Sequence, residues 1–116
     1  MESQMLAGRW VMPTVESNED GIVRLHVSVA VENVEALAGQ PVEVGLVAGG
    51  QQLPVREAPP PGEYYYLETL AVTAVADFAF DNPDRLAPEQ VTVSLGGEQA
   101  TWPLEPGPVP SDFPVA

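Results

Sequence analysis

Two residue types are missing from this chain, whose 116 residues include neither cysteine nor lysine. Without cysteine there are no disulfides, no thiolate metal ligands and no cysteine nucleophile. Long apolar runs are missing too: no run approaches the length of about 18 residues that a membrane-spanning helix needs. The N-terminus lacks the basic segment followed by an apolar one that marks a secretory signal. We therefore expect a protein that is not exported by that route and is cytoplasmic or virion-associated.

Basic charge is scarce as well. Seventeen Asp and Glu side chains face four arginines, so the formal net charge is −13 at pH 7. A field of this sign repels the phosphates of nucleic acids and anionic lipids, so we expect no nucleic acid and no membrane as partners. It favours a basic protein surface or a cation as the partner, although the same charge also keeps the protein soluble.

Residues 41–57 and 90–105 share one hairpin pattern. Each has an alternating aliphatic strand, a Gly-Gly pair and a second strand with a proline near its end. Two-residue loops of this kind form type I′ turns, which set the hairpin register. Because proline lacks an N–H, Pro54 and Pro103 predict that both second strands lie at sheet edges. The expected pairs are Ala48–Gln51, Leu46–Leu53, Val44–Val55 and Glu43–Arg56 in the first hairpin, and Leu95–Glu98, Val93–Ala100 and Val91–Trp102 in the second.

Three further segments predict strands. Residues 5–12 indicate a short strand that ends at Pro13, and the polar residues 16–21 indicate a turn. Residues 63–80 fit both a strand and a helix, but their β-branched and aromatic content favours a strand with a bend or bulge. Residues 22–32 alternate so that one face is apolar. That face consists of Val23, Leu25, Val27, Val29 and Val31.

These segments together predict an all-β protein of about seven antiparallel strands. We expect an immunoglobulin-like β-sandwich over residues 1–104 and an extended Pro-rich C-terminal arm over residues 105–116. A small, partly open β-barrel is the alternative.

One acidic segment resembles the opening of a calcium loop. Glu16, Asn18 and Asp20 alternate and are followed by a glycine, as such loops require. The loop then needs a bidentate glutamate where this chain has Val27, within a predicted strand. An acidic surface turn is therefore the favoured interpretation.

A second acidic group follows the strand predicted over residues 63–80. Asp77, Asp81 and Asp84 are candidate calcium ligands near the end of that strand, as in sandwich domains that hold calcium between loops. Turn formation explains the same residues, because Asp and Asn side chains bond to nearby backbone. The prediction is therefore no metal and no cofactor, with these three aspartates as the residues to inspect.

The side chains give no sign of catalysis. His26 is the only histidine, and Ser28 on the same strand face is about 7 Å away, too far for a nucleophile–base pair. We expect a solvated imidazole and no enzyme activity. The aromatic residues Tyr64, Tyr65, Tyr66, Trp10 and Trp102 are candidates for a binding platform, but neighbouring strand residues face opposite ways, which favours core and rim packing.

The Pro-rich arm carries the candidate partner-binding residues Pro108, Pro110, Phe113 and Val115. They lead us to expect a non-enzymatic structural or interaction module that docks on other protein chains through an edge strand and this arm, as a homo-oligomer or in a larger assembly. A virion accessory or decoration protein is the concrete example, chosen by analogy. The alternatives are an acidic inhibitor or immunity-type protein that binds a basic enzyme, and a calcium- or carbohydrate-binding accessory domain.

Overall fold

The computed structural model describes residues 3–32, 37, 40–60, 64–68 and 72–104. Within these ranges no helix is long and apolar enough to cross a membrane. The described residues form ten strands rather than about seven, because three predicted segments each contain two strands. These segments are residues 5–12, 51–57 and 63–80. They are β1 (Gln4–Leu6), β2 (Arg9–Glu19), β3 (Ile22–Val31), β4 (Val42–Ala48), β5 (Gln51–Gln52), β6 (Val55–Glu57), β7 (Tyr65–Glu68), β8 (Val72–Asp81), β9 (Pro88–Leu95) and β10 (Glu98–Pro103).

The strands form two antiparallel sheets. The first sheet has the order β1-β2-β3-β8, and both β6 and β7 pair with the far side of β8. The second sheet has the order β10-β9-β4-β5. Strands β2-β3-β8-β7 and β10-β9-β4 follow the ABED and GFC orders of the immunoglobulin fold. The two sheets pack together and do not close, so the predicted sandwich is confirmed and the barrel alternative is wrong.

The core lies between the aliphatic faces of the two sheets. The five inward side chains predicted for β3 are all buried, and Phe78 and Phe80 of β8 join them. The second sheet contributes Leu46, Val91, Val93, Leu95 and Trp102. Because successive side chains point to opposite sides of a strand, each sheet also has an outer face, although Val75 and Ala79 on the outer side of β8 are buried as well.

The hairpin on Gly96-Gly97 has the predicted register, including Trp102 opposite Val91. The hairpin on Gly49-Gly50 keeps it only as far as Leu53, whose N–H donates to the Leu46 carbonyl at 2.8 Å.

The predicted Val44–Val55 and Glu43–Arg56 pairs are wrong. At Pro54 the chain crosses to the first sheet, where Val55 pairs with Phe80. The edge of β8 offers unpaired backbone groups there, and the Asp81 N–H donates to the Pro54 carbonyl at 2.9 Å. The Arg56 guanidinium then forms an ion pair with the Asp81 carboxylate, at 2.8 Å, and not with Glu43.

The N-terminal prediction also needs correction. A turn at Ala7-Gly8 separates β1 from β2, and β2 continues through Pro13 to Glu19. Among the described residues β1 pairs with β2 only as far as Val11, so no described strand needs an N–H from Pro13 on that side. The following turn is confined to Asp20-Gly21, which both have positive φ.

The strand prediction for residues 63–80 is confirmed, with one difference. The described residues form two strands, β7 and β8, which pair antiparallel with Tyr65 opposite Val75. A hairpin therefore takes the place of a single bent strand. Tyr64 and Phe80 are both buried on the core side.

Candidate functional site: the outer face of the first sheet

One row of outward-facing side chains, four of them exposed and Thr73 half-buried, crosses the outer face of the first sheet. The register pairs Met5 with Trp10, Ala30 with Thr73, and Thr73 with Leu67. Since Val11 lies opposite Val29, Trp10 lies beside Ala30. We call Met5, Trp10, Ala30, Thr73 and Leu67 the exposed row. Its members come from five successive strands.

The exposed row is unusually apolar for a solvent-facing surface. Met5 is 51% exposed, Trp10 54% and Leu67 52%. Tyr65, 51% exposed, lies on the same face in the next row, which also holds Met12, Ser28 and Val75. Single exposed apolar residues are ordinary, but several on one sheet face indicate a contact surface.

Next along the same face is a cluster of Glu16, His26 and Asp77. His26 and Asp77 lie opposite each other on β3 and β8. A β-bulge between Val15 and Ser17 makes Glu16 an extra residue of β2. His26 Nδ1 lies 2.8 Å from Glu16 Oε2, and one donor atom from each residue lies within 4.8 Å of the other two.

Tyr65 connects this cluster to the apolar part of the face. Its phenol lies close enough to the cluster to feel the charges of two of its residues. The pKa of Tyr65 is raised, first by partial burial of the phenol, then by the negative charges of Asp77 and Glu16 and by the interaction of its hydroxyl with Asp77.

The structure separates the three predicted calcium candidates. Asp77 faces His26, whereas Asp81 bonds to Arg56 and Asp84 is exposed in the following turn. Asp77 and Asp81 are four strand residues apart, about 13 Å along β8. The segment that resembles a calcium loop lies mostly in β2, with only Asp20 and Gly21 in the turn.

Asn82 provides the turn chemistry expected of this region. It is fully buried, its Nδ2 donates to Asn18 Oδ1 at 3.1 Å and to the Leu86 carbonyl at 3.0 Å, and its Oδ1 accepts from the Leu86 N–H at 3.0 Å. Its backbone N–H donates to the Gly21 carbonyl at 2.8 Å. Asn82 therefore ties the turn after β8 to the β2–β3 hairpin.

The aromatic residues divide as alternation requires. Tyr64 and Trp102 are buried in the core, and Tyr66 packs against it. The Tyr64 hydroxyl donates to the Gln40 carbonyl and accepts from the Val42 N–H at 3.0 Å. Only Trp10 and Tyr65 remain for an outer platform.

The outer face of the second sheet is polar. Its shallow groove is lined by Glu43, Gly45, Gln52, Thr92, Ser94 and Gln99, among others. The hydroxyls of Thr92 and Thr101 share a hydrogen bond of 3.2 Å. Such side chains are well solvated, and they give this face little reason to be covered.

Sequence reasoning considered Glu16, His26 and Asp77 one at a time and did not bring them together. His26, predicted as a solvated imidazole, has a side chain that is 26% exposed and also bonds to Glu16. The turn residues Asp20 and Gly21 could have predicted that β2 lies beside β3. Nothing in the sequence predicts the bulge that turns Glu16 toward His26. The predicted partner-binding residues Pro108, Pro110, Phe113 and Val115 lie outside the described residues.

No protein-family model, curated protein or solved structure matches this chain.

Proposed function

We propose that this protein is a non-enzymatic interaction module that binds another protein through the exposed row. The observation that carries the proposal is the gathering of Met5, Trp10, Leu67 and the neighbouring Tyr65 on one sheet face. Tryptophan and tyrosine are the side chains that most often dominate the energy of protein interfaces. Five strands spaced about 4.8 Å apart give the row a length of about 19 Å, which suits a protein partner.

The charges around the row specify the partner's chemistry. Arg9 pairs with Glu32, and Arg24 lies 3.9 Å from Glu57, so these arginines already face carboxylates of their own chain. Glu16 and Asp77 add two further carboxylates at the border of the row. Together with the net charge of −13, they favour a partner with an apolar centre and a lysine- or arginine-rich rim. A second copy of this chain would bring like charges together.

An acidic inhibitor of a basic enzyme would use the same contacts, so an activity assay on the partner distinguishes this alternative from simple assembly. Membership of a virion, and a contribution from the arm at Pro108, Pro110, Phe113 and Val115, stay predictions. Carbohydrate binding has less support, because Trp10 and Tyr65 are three strands apart and do not form one stacking platform.

The experiment compares the two outer faces. Proteins captured by the wild-type chain from its source cells are identified by mass spectrometry, and the captured protein is purified for titration. We expect Leu67→Asp to weaken its binding by about 30-fold or more, because it removes an apolar contact of the exposed row and places a charge there. The matched variant Thr101→Asp adds the same charge to an exposed position of the second sheet, and we expect less than about a threefold change.

Several results would reject the proposal. One is equal binding by both variants, and another is a failure to capture any protein in a Leu67-dependent way. A third is a partner without a basic surface. Self-association that Leu67→Asp abolishes in sedimentation experiments would replace the basic partner by a second copy of the chain.

A further inference from the structure

We propose that Glu16, His26 and Asp77 form a binding site for a divalent first-row transition metal ion, with Zn²⁺ as the reference ion. This inference does not depend on the exposed row or on any partner protein. It rests on the distances, the donor atoms and the rigid strands that carry them.

The distances leave room for one ion. A metal bonded to nitrogen and oxygen at about 2.0–2.2 Å holds its ligand atoms roughly 3–4.4 Å apart. The donor atoms of the three residues already lie within 4.8 Å of one another, and the closest pair, His26 Nδ1 and Glu16 Oε2, is 2.8 Å apart. Small rotations of the side chains would therefore place all three around a common centre.

The donor types select the class of metal. One imidazole nitrogen with two carboxylates suits zinc, manganese, iron or cobalt, whereas calcium and magnesium prefer all-oxygen sites. The two carboxylates repel each other across a single imidazole, and a divalent cation removes that repulsion. The cluster borders solvent, so water would complete the coordination shell.

The backbone holds the three ligands in fixed positions. They come from the neighbouring strands β2, β3 and β8, and the bulge in β2 supplies Glu16 as an extra residue. Bulges re-aim side chains in this way next to functional sites.

The test is a calorimetric titration of the untagged chain with ZnCl₂. Because the chain has one histidine, no second imidazole competes. We expect one Zn²⁺ per chain, and binding at least about tenfold weaker for His26→Gln and for Asp77→Asn, since each removes one ligand. Glu19→Gln and Asp81→Asn each remove one carboxylate from outside the cluster and should leave the affinity unchanged.

A second readout does not depend on the variants folding. Added Co²⁺ should shift or broaden the ring proton signals of His26 in the NMR spectrum of the wild-type chain, before those of the outer face of the second sheet. Affinity that falls equally in the control variants, His26 signals that do not respond, or tighter binding of Ca²⁺ than of Zn²⁺ would each overturn the proposal. Because the isolated chain is used, failure here would leave the proposed protein interaction untouched.

Discussion

The two sheets bury similar aliphatic faces but present different surfaces to solvent. The first sheet exposes Met5, Trp10 and Leu67 and gathers Glu16 with His26 and Asp77. The second exposes threonine, serine, glutamine and glutamate side chains around a shallow groove. Water solvates the second face without cost, whereas the first keeps apolar area in contact with water. This difference is the reason we propose the first sheet as the binding side of the sandwich.

The largest expected effect tests which side of each sheet is the inside. Phe80→Ala should lower the free energy of unfolding by about 3–5 kcal/mol, and Leu46→Ala by about 2–5 kcal/mol, because both side chains are fully buried. The outer-face variants Tyr65→Ala and Thr101→Ala should stay within about 0.5 kcal/mol. Urea denaturation followed by tryptophan fluorescence measures all four.

If the inner and outer variants lost similar amounts of unfolding free energy, the two sheet faces could not be distinguished as a buried and an exposed face. Should Phe80→Ala fail to fold, Phe80→Leu should fold and still show a loss that Tyr65→Leu does not.

A smaller loss is expected from the turn that supports the first sheet. Asn82→Ala removes the side-chain hydrogen bonds to Asn18 and Leu86 and leaves the part-buried Leu86 amide without that acceptor, at a cost of about 2 kcal/mol. Asn18→Ala removes one of these contacts and should cost less. Thermal and urea unfolding measure both, and equal losses would show that the Leu86 contacts contribute little.

The turn before β3 should tolerate one substitution and reject another. Asp20 has a φ of 59°, a left-handed conformation that asparagine adopts readily and β-branched residues do not. We expect Asp20→Val to lower the free energy of unfolding by about 1–2 kcal/mol and Asp20→Asn to change it by less than about 0.5 kcal/mol. A Val variant as stable as the Asn variant would contradict the turn, and with it the alignment that brings Glu16 to His26.

The smallest effect concerns Tyr65. Its folded-state pKa is raised, so as the pH rises through the ordinary tyrosine value of about 10 the unfolded chain loses this proton first and stability declines. Asp77→Asn should bring the pKa of Tyr65 back toward that value, as should Glu16→Gln to a smaller extent. Tyrosinate absorbance with Tyr65→Phe as the blank measures the titration, and Glu19→Gln is the control. A pKa of Tyr65 insensitive to Asp77 would mean that the two are not in contact.

Local patterns predicted most of the inner faces. The alternation of β3 and the paired glycines of the last hairpin each specify a side-chain direction within a few residues, and both predictions are confirmed. The departure at Pro54 was missed because its cause is remote: the free edge of β8, with the Asp81 N–H and carboxylate, lies 27 residues further along the chain. No pattern within residues 51–57 reveals it.

The candidate sites were harder to predict for the same reason. Met5, Trp10 and Leu67 lie in one row only because five strands align, and each alignment depends on turns far apart in the sequence. His26 and Asp77 are 51 residues apart yet directly opposite. The sequence supplied all these residues as single candidates or as ordinary strand positions.

The sequence by itself determined the strand periodicity, the turn at Gly96-Gly97 and the sign of the surface charge, because each depends on residues close together in the chain or on composition alone. Tertiary structure alone decided that β5 and β6 belong to different sheets, that one outer face collects Met5, Trp10, Tyr65 and Leu67, and that Glu16, His26 and Asp77 meet. Those outcomes depend on which strand edges pair, and pairing joins residues that no local pattern relates.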